Sequence, residues 1–172
     1  MEWKKVSQRR KYDGWRAIDG VTFDLPTGIQ VEYDIVQSGY SACVLALTPE
    51  NQVILAKQFR PGPEKELLEL PGGAVDSGEE LTDAIRRELL EETGYTGDFR
   101  LVGSEVRDAY STATGHCFVA TNCLKVQEPE NHPREPIEIV LMSLEDFRKH
   151  LFSGQLSDTA SGYRGLEYLG LL

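Results

Sequence analysis

Three glutamates with helical spacing are the residues of this chain best suited to chemistry. At about 100° per residue, Glu88 and Glu92 fall on the same helical face as the apolar residues Ile85 and Leu89, and Glu91 lies beside them. Carboxylates on an apolar face are costly, because burying a charge without a partner takes several kcal/mol. A hard divalent cation with oxygen ligands compensates such charge. The spacing therefore predicts a metal site on one face of a helix.

The same glutamates could instead form an ordinary acidic surface. In that interpretation Arg86 and Arg87 would be their salt-bridge partners, and water would solvate the whole face. The apolar residues on the face argue against this interpretation, and the sequence around the helix decides between the two.

The helix itself is predicted to run from Gly78 to Thr93. Ser77, followed three residues later by Glu80, fits a capping box, and acidic residues crowd the first turn. Gly94 stands where a C-terminal cap belongs. We therefore expect one helix of about four turns.

A longer motif surrounds these residues. From Gly73 the chain reads Gly73, five residues, Glu79, seven residues, Arg87-Glu88-Leu89, one residue, Glu91-Glu92, one residue, Gly94-Tyr95. This resembles the complete Nudix box, G-x5-E-x7-R-E-U-x-E-E-x-G-U with U apolar, at every defined position. Tyr95 stands where an aliphatic residue is commoner. By this resemblance the chain is identified as a member of the Nudix hydrolase family.

The resemblance implies an α/β fold, an α/β/α sandwich around a mixed sheet with a divalent metal at the box helix. Glu88 and Glu92 match the principal metal ligands of the family, and Glu91 matches an additional ligand or a group that orients water. The carbonyl of Gly72 corresponds to a backbone ligand. Magnesium is the expected metal, with manganese as the alternative.

The resemblance also implies roles for Glu79 and Arg87, whose counterparts form a salt bridge that holds loop and helix in register. The chemistry explains why a metal is needed. A diphosphate is polyanionic, so attack by water requires cations that neutralise charge and lower the pKa of the water.

Beyond the box, the chain resembles ADP-ribose and nucleotide-sugar pyrophosphatases through Gln58-Phe59-Arg60 and Glu69-Leu70-Pro71-Gly72-Gly73. Arg60 matches an arginine that binds substrate phosphate or terminal ribose; alternatively it is a surface residue that closes a hairpin. Glu69 either hydrogen-bonds the substrate or anchors the loop. The implied reaction converts a nucleoside diphosphate sugar, with ADP-ribose as the best single candidate, into a nucleoside monophosphate and a sugar phosphate.

Residues 1–38 are predicted to form a small antiparallel sheet that precedes a catalytic domain of residues 39–172, because aromatic and polar residues alternate there between turn signals. In the subgroup this sheet crosses to a second subunit and helps to hold the base, so a homodimer is expected. Trp15 and Arg16 are candidates for stacking on a purine. Trp15 could equally be a core residue of the dimer interface.

Two departures from the subgroup bear on substrate and mechanism. The usual Ser-Pro-Gly loop is replaced by residues 110–116, which contain neither proline nor an acid, and this favours a broader nucleotide-sugar preference. His116 in this stretch either contacts phosphate or has a structural role.

In the acidic loop of residues 128–138, Glu135 best matches a family carboxylate that takes a proton from water, whereas Pro133 occupies a second position that is often acidic. Glu135 is thus a candidate base or metal ligand, with Glu91 as the alternative base, unless the loop is merely a charged surface.

Composition narrows the function classes. At 172 residues and 40% apolar content, the chain fits one domain with a small appendage, and no apolar run has the length of a signal segment or membrane span. A net charge of −10 argues against a nucleic-acid surface but allows a small phosphorylated substrate. The cysteines are odd in number and lie in apolar runs: Cys43, Cys117 and Cys123. This pattern indicates buried reduced thiols and predicts a cytoplasmic protein.

The remaining pattern predicts a hairpin of residues 42–47 and 53–60, strands at 100–106, 117–122 and 137–142, and a helix over 143–153 that Ser143 caps. Three rival interpretations remain: a nucleoside triphosphate or capped-RNA pyrophosphohydrolase, a noncatalytic Nudix-like nucleotide-binding regulator, and an acidic scaffold with an accidental box.

Overall fold

The computed structural model describes residues 2–130 and 136–172. In chain order its elements are β1 (Lys4–Asp13), β2 (Ala17–Asp24), β3 (Gln30–Gln37), β4 (Tyr40–Leu47), β5 (Gln52–Arg60), β6 (Lys65–Glu69), β7 (Gly72–Ala74), α1 (Leu81–Thr93), β8 (Tyr95–Val106), β9 (Thr114–Lys125), β10 (Glu138–Ser143), α2 (Leu144–Ser153) and α3 (Thr159–Tyr168). They form two units, one of Met1–Tyr40 and Val106–Thr114, the other of Ser41–Glu105 and Gly115–Leu172.

The first unit is a three-stranded antiparallel sheet in the order β1-β2-β3, which confirms the predicted N-terminal sheet. Trp3, Phe23 and Tyr33 contact one another with ring centroids 6.2 to 6.4 Å apart. The segment after β8 joins this unit, because the Val36 amide donates to the carbonyl of Tyr110 at 2.8 Å. Residues 106–114 therefore belong to the N-terminal sheet in space, although they come late in the chain.

The second unit is built on a mixed sheet of seven strands within the described residues. Five strands follow the order β10-β5-β4-β9-β8, while β6 pairs with β5 and β7 with β4. The predicted hairpin is present, with Ala46 opposite Ile54 and Leu47 opposite Val53. Strand β8 begins five residues before its predicted range, and β9 extends three residues beyond its predicted range at each end. Strand pairing thus places β4 and β5, the most apolar strands, in the middle of the unit.

Alternate residues of β4 pack against helices on opposite faces of this sheet. Val44 contributes to the cluster that contains Ile85 and Leu89 of α1. Leu45 contributes to the cluster on the other face, which contains Phe147 of α2 and Leu166 of α3. Burial of each such side chain contributes about 2 kcal/mol. The three layers confirm the predicted α/β/α sandwich.

The N-terminus of α1 differs from the prediction. The helix begins at Leu81 with Glu80 as its N-cap, and within the described residues the Glu80 side chain makes no capping hydrogen bond. The start at Gly78 and the capping box of Ser77 and Glu80 are therefore wrong. Gly78 has a φ of 85°, a left-handed conformation that cannot belong to the helix.

Other local predictions hold. Ser143 caps α2, since its Oγ accepts a hydrogen bond from the Asp146 amide at 3.1 Å. The three cysteines are buried free thiols, and burial raises the pKa of Cys123 to about 11. Among the residues that the structure describes, no helix is long and apolar enough to cross a membrane.

Gly94 and Gly154 form a matched pair for testing the packing at the end of α1. Both cap a helix with positive φ, 76° and 68°, a conformation that costs alanine about 1 to 2 kcal/mol. A Cβ on Gly94 would lie 2.1 Å from the Gln127 carbonyl oxygen, whereas one on Gly154 meets no atom of the described residues within 4 Å. We expect Gly94→Ala to lower the free energy of unfolding in urea by about 1 to 3 kcal/mol more than Gly154→Ala. Equal losses would contradict the packing of Gly94 against Gln127.

Candidate metal and substrate site

The carboxylates of α1 converge on the backbone of Gly72 and Gly73 in β7. The Gly72 amide donates to Glu92 Oε2 at 3.0 Å. A Cβ on Gly73 would lie 2.6 Å from the Glu88 carboxyl carbon, so the Glu88 carboxylate occupies the space that a side chain would need. Glycine at position 73 is therefore what lets Glu88 reach the strand.

Strand pairing holds these glycines in place. Gly72 lies opposite Cys43 of β4 and Gly73 lies opposite Ala42. The Pro71 carbonyl accepts a hydrogen bond from the Val44 amide at 3.0 Å. The glycine segment that faces the carboxylates is thus part of the central sheet, and its hydrogen bonds to β4 fix its position.

Arg87 connects the acidic residues of the site. Its Nε lies 3.0 Å from Glu79 Oε1, which is the ion pair that the family resemblance implies. Its Nη1 donates to Glu88 Oε1 at 2.9 Å and to Glu91 Oε2 at 3.3 Å. These hydrogen bonds, Glu79 first, raise the pKa of Arg87, and the bond from Arg87 lowers the pKa of Glu79. Arg87 therefore remains charged, and its ion pair with Glu79 joins the loop before α1 to the helix.

Burial raises the pKa of Glu88, and the nearby charges of Glu91 and Glu79 act in the same direction. The hydrogen bond from Arg87 opposes this shift without cancelling it. The site therefore holds more negative charge than Arg87 compensates. A cation beside Glu88 would stabilise its charged form.

The donor chemistry fits a hard divalent cation. Glu88 and Glu92 present oxygen atoms next to the Gly72–Gly73 backbone, and Glu91 shares the partner Arg87 Nη1 with Glu88. Oxygen is the ligand atom that magnesium prefers. In the described ranges, 2–130 and 136–172, no group of three or more acidic, histidine or cysteine residues is already gathered as a cation site. Arg87 Nη1 contacts both Glu88 and Glu91. A metal ion bound by these two glutamates would replace their contacts with Arg87.

Arg60 and Glu69 form a second, separate group at the ends of β5 and β6. Glu69 is 0% exposed; one of its oxygens accepts a hydrogen bond from Arg60 Nε, and the other accepts one from the Ser157 amide at 3.2 Å. The Arg60 side chain is 40% exposed. Of the two alternatives for Glu69, these contacts favour the anchor, because a fully buried carboxylate does not face a ligand.

The other candidate residues belong to other elements or lie outside the described residues. His116 Nδ1 is 2.9 Å from Ser104 Oγ on the neighbouring strand. Trp15 and Arg16 belong to the first unit, at the turn between β1 and β2, where Trp15 is 95% exposed. Glu135 lies outside the described residues. The described start of its loop contacts α1, where the Glu130 amide donates to the backbone carbonyl of Glu91 at 2.7 Å.

Ser157 is the residue of the site that sequence reasoning missed. Its contact with Glu69 joins positions 88 residues apart. It acts through its backbone amide, and every residue except proline has one, so its side-chain type carries no signal. Glu69 itself offered a weak signal, as an acidic residue that ends an apolar stretch.

Comparison with known proteins identifies the family. A family model for the NUDIX domain matches residues 38–159, and the chain therefore belongs to the Nudix family as a Nudix hydrolase. It is 31% identical to the ADP-ribose pyrophosphatase of Bacillus subtilis strain 168 over 176 residues, 99% of this chain and 94% of that protein. It is 37% identical to the ADP-sugar pyrophosphatase of Mus musculus over 95 residues, 49% of this chain and 44% of that protein.

A solved structure described as an ADP compounds hydrolase has the same fold. Its TM-score is 0.81 at 17% identity, over 100% of this chain and 98% of that chain. Nudix hydrolases generally use a divalent metal, which agrees with the donor chemistry of the α1 face.

Gly73→Ala tests whether Glu88 needs the space beside β7. The added Cβ meets the far end of a flexible side chain, so we expect the fold to remain and the Glu88 carboxylate to move away. Affinity for Mn2+, measured by calorimetry, should fall about 10- to 100-fold. Gly62→Ala is the control, because a Cβ there meets no described atom within 4 Å. Unchanged Mn2+ affinity in Gly73→Ala would contradict the placement of Glu88 as a ligand.

Proposed function

We propose that this Nudix hydrolase is a magnesium-dependent pyrophosphatase that hydrolyses the diphosphate bond of nucleoside diphosphate sugars. ADP-ribose is the best single candidate substrate, and its products would be AMP and ribose 5-phosphate. The observation that carries the proposal is the convergence of Glu88 and Glu92 on the Gly72–Gly73 backbone, since a cation site there suits a polyanionic substrate.

In this proposal Glu88, Glu91, Glu92 and the Gly72 carbonyl hold the metal, with manganese as a possible substitute. The metal would neutralise phosphate charge and lower the pKa of the attacking water. Arg87, held by Glu79, keeps the carboxylates of α1 in register with the loop before it.

A carboxylate would take the proton of the attacking water. Glu135 is the first candidate, as base or as a further metal ligand, because its loop leaves from a backbone contact between Glu130 and Glu91. Glu91 is the alternative, since its side chain is 38% exposed, against 17% for Glu88.

Two relatives support the substrate class, because one is an ADP-ribose pyrophosphatase and the other is an ADP-sugar pyrophosphatase. Arg60 would bind substrate phosphate or the terminal ribose through the part of its guanidinium that Glu69 leaves open. His116 retains both alternatives, phosphate contact or structure, and its hydrogen bond to Ser104 supports the structural one.

We further propose that the first unit, residues 1–38 in the main, serves dimerisation and base binding. Trp15 is a large aromatic residue left almost fully exposed in a single chain, which suits either a purine or a partner subunit as its cover. Arg16 next to it could stack on the same base.

Substrate class is tested with a panel of ADP-ribose, GDP-mannose, UDP-glucose, diadenosine polyphosphates and nucleoside triphosphates, each with magnesium and with product identification. We expect a nucleoside monophosphate and a sugar phosphate from the nucleotide sugars, and loss of turnover on chelation of the metal. Release of inorganic pyrophosphate from triphosphates would instead favour the triphosphate or capped-RNA activity. Binding without turnover of any compound would favour the regulatory alternative.

Glu92→Gln tests the metal assignment. The amide keeps an oxygen for the Gly72 amide but removes the charge, so we expect kcat to fall by about 100-fold or more with an unfolding free energy changed by less than about 1 kcal/mol. Asp83→Asn is the matched control, since it removes one charge from an exposed position of the same helix. Unchanged turnover in Glu92→Gln would overturn the metal site.

A further inference from the structure

Glu69 is a charged side chain that the reaction chemistry does not account for. It is 0% exposed, and it ends β6 three residues before Gly72. Its two oxygens have different kinds of partner, the guanidinium of Arg60 and the backbone amide of Ser157. A buried carboxylate is costly unless it is paired and hydrogen-bonded, and both conditions are met here.

Anchoring a loop does not by itself require a charge at this position. A buried ion pair adds little net stability, and well-packed apolar residues often replace such pairs without loss. A neutral glutamine oxygen could also accept from the Ser157 amide, although more weakly than a carboxylate. What the negative charge adds is a strong and directional bond to Arg60.

The geometry of the guanidinium shows what this bond achieves. Glu69 accepts the Nε–H of Arg60, so that among the described residues the two NH2 groups of the planar fork are left for another partner. The Arg60 side chain is 40% exposed although its partner is fully buried. One edge of the guanidinium is therefore held in the protein while part of the side chain is open to a ligand.

The same short segment also carries the metal site. Glu69 is followed by Leu70 and Pro71 and then by Gly72, whose amide contacts Glu92. His150 of α2 contacts the Leu68 carbonyl through Nε2 at 2.7 Å, which ties the strand to the helical layer on that side. Arg60, through the Glu69 side chain, and Glu92, through the Gly72 amide, thus contact the same short segment of backbone.

We propose that Glu69 is a positioning residue, which holds the Arg60 guanidinium so that its free edge meets a phosphate or ribose oxygen of the substrate. The proposal rests on the proposed function, because it requires Arg60 to bind the substrate. Glu69 itself touches no substrate. Its effect on the reaction passes through Arg60.

A double-mutant cycle tests this, with wild type, Glu69→Gln, Arg60→Gln and the double variant assayed on the best nucleotide sugar of the panel. We expect Glu69→Gln to raise KM about 10-fold and to change kcat less than about 3-fold. In the Arg60→Gln background the same substitution should change KM less than about 2-fold, because the residue it acts through is gone. An equal rise in KM in both backgrounds would overturn the positioning role.

Two further measurements separate this role from a structural one and from failure of the proposed function. Mn2+ affinity should stay near wild type in Glu69→Gln, and a loss of Mn2+ affinity as large as the rise in KM would overturn the proposal. Urea unfolding checks that the variant folds, because the amide NH2 group would face one of the two donors that the carboxylate accepts from. If Glu69→Gln does not fold, Glu69→Asp, which keeps the charge but shortens its reach, takes its place in the same cycle. Absence of turnover of every nucleotide sugar by the wild type would overturn both proposals, whereas normal wild-type turnover with equal effects in both backgrounds overturns this one alone.

Discussion

The site depends on the packing of α1, which brings carboxylates against the sheet because the same helical face must bury Ile85 and Leu89. A rotation that moved Glu88 and Glu92 into water would expose those side chains, each worth about 2 kcal/mol of burial. Gly73 then removes the side chain that would block Glu88. The hydrophobic core therefore maintains a concentration of charge that electrostatics alone would disperse, and in the proposed function a cation would stabilise it.

Sequence reasoning succeeded where a local pattern has one physical cause. The helical face, the left-handed Gly94 and the cap at Ser143 follow from periodicity and backbone conformation, and the structure contains all three. It failed at the start of α1, because the turn at Gly78 overrides a capping signal that is statistically favourable.

The helix α3 was not predicted for a different reason, which lies in its packing. Its glycines lower helix propensity, yet Cβ atoms on Gly162 and Gly165 would meet Leu151 at 2.5 Å and Leu45 at 2.7 Å. These glycines are therefore required for close approach of the helix to α2 and β4, and propensity alone argues against them. The contact of Ser157 with Glu69 likewise exists only in three dimensions. The acids and the Glu79–Arg87 ion pair could therefore be predicted, but the contacts that link Glu69 to the rest of the chain could not.

The proposed function requires a protein with a net charge of −10 to bind a polyanion, which needs local reversal of its field. The ion pairs of the described residues indicate where this reversal is possible. In the first unit, three cations of β1 pair across strands: Arg9 with Glu32, Arg10 with Asp19, and Lys11 with Glu32 and Asp34. The charge of Arg87 is already paired with Glu79 and with Glu88 of α1. Arg60, by contrast, is paired through its Nε with a buried acid while its side chain is 40% exposed. In the proposed function, Arg60 and a metal held by α1 would together provide the positive charge that a diphosphate requires.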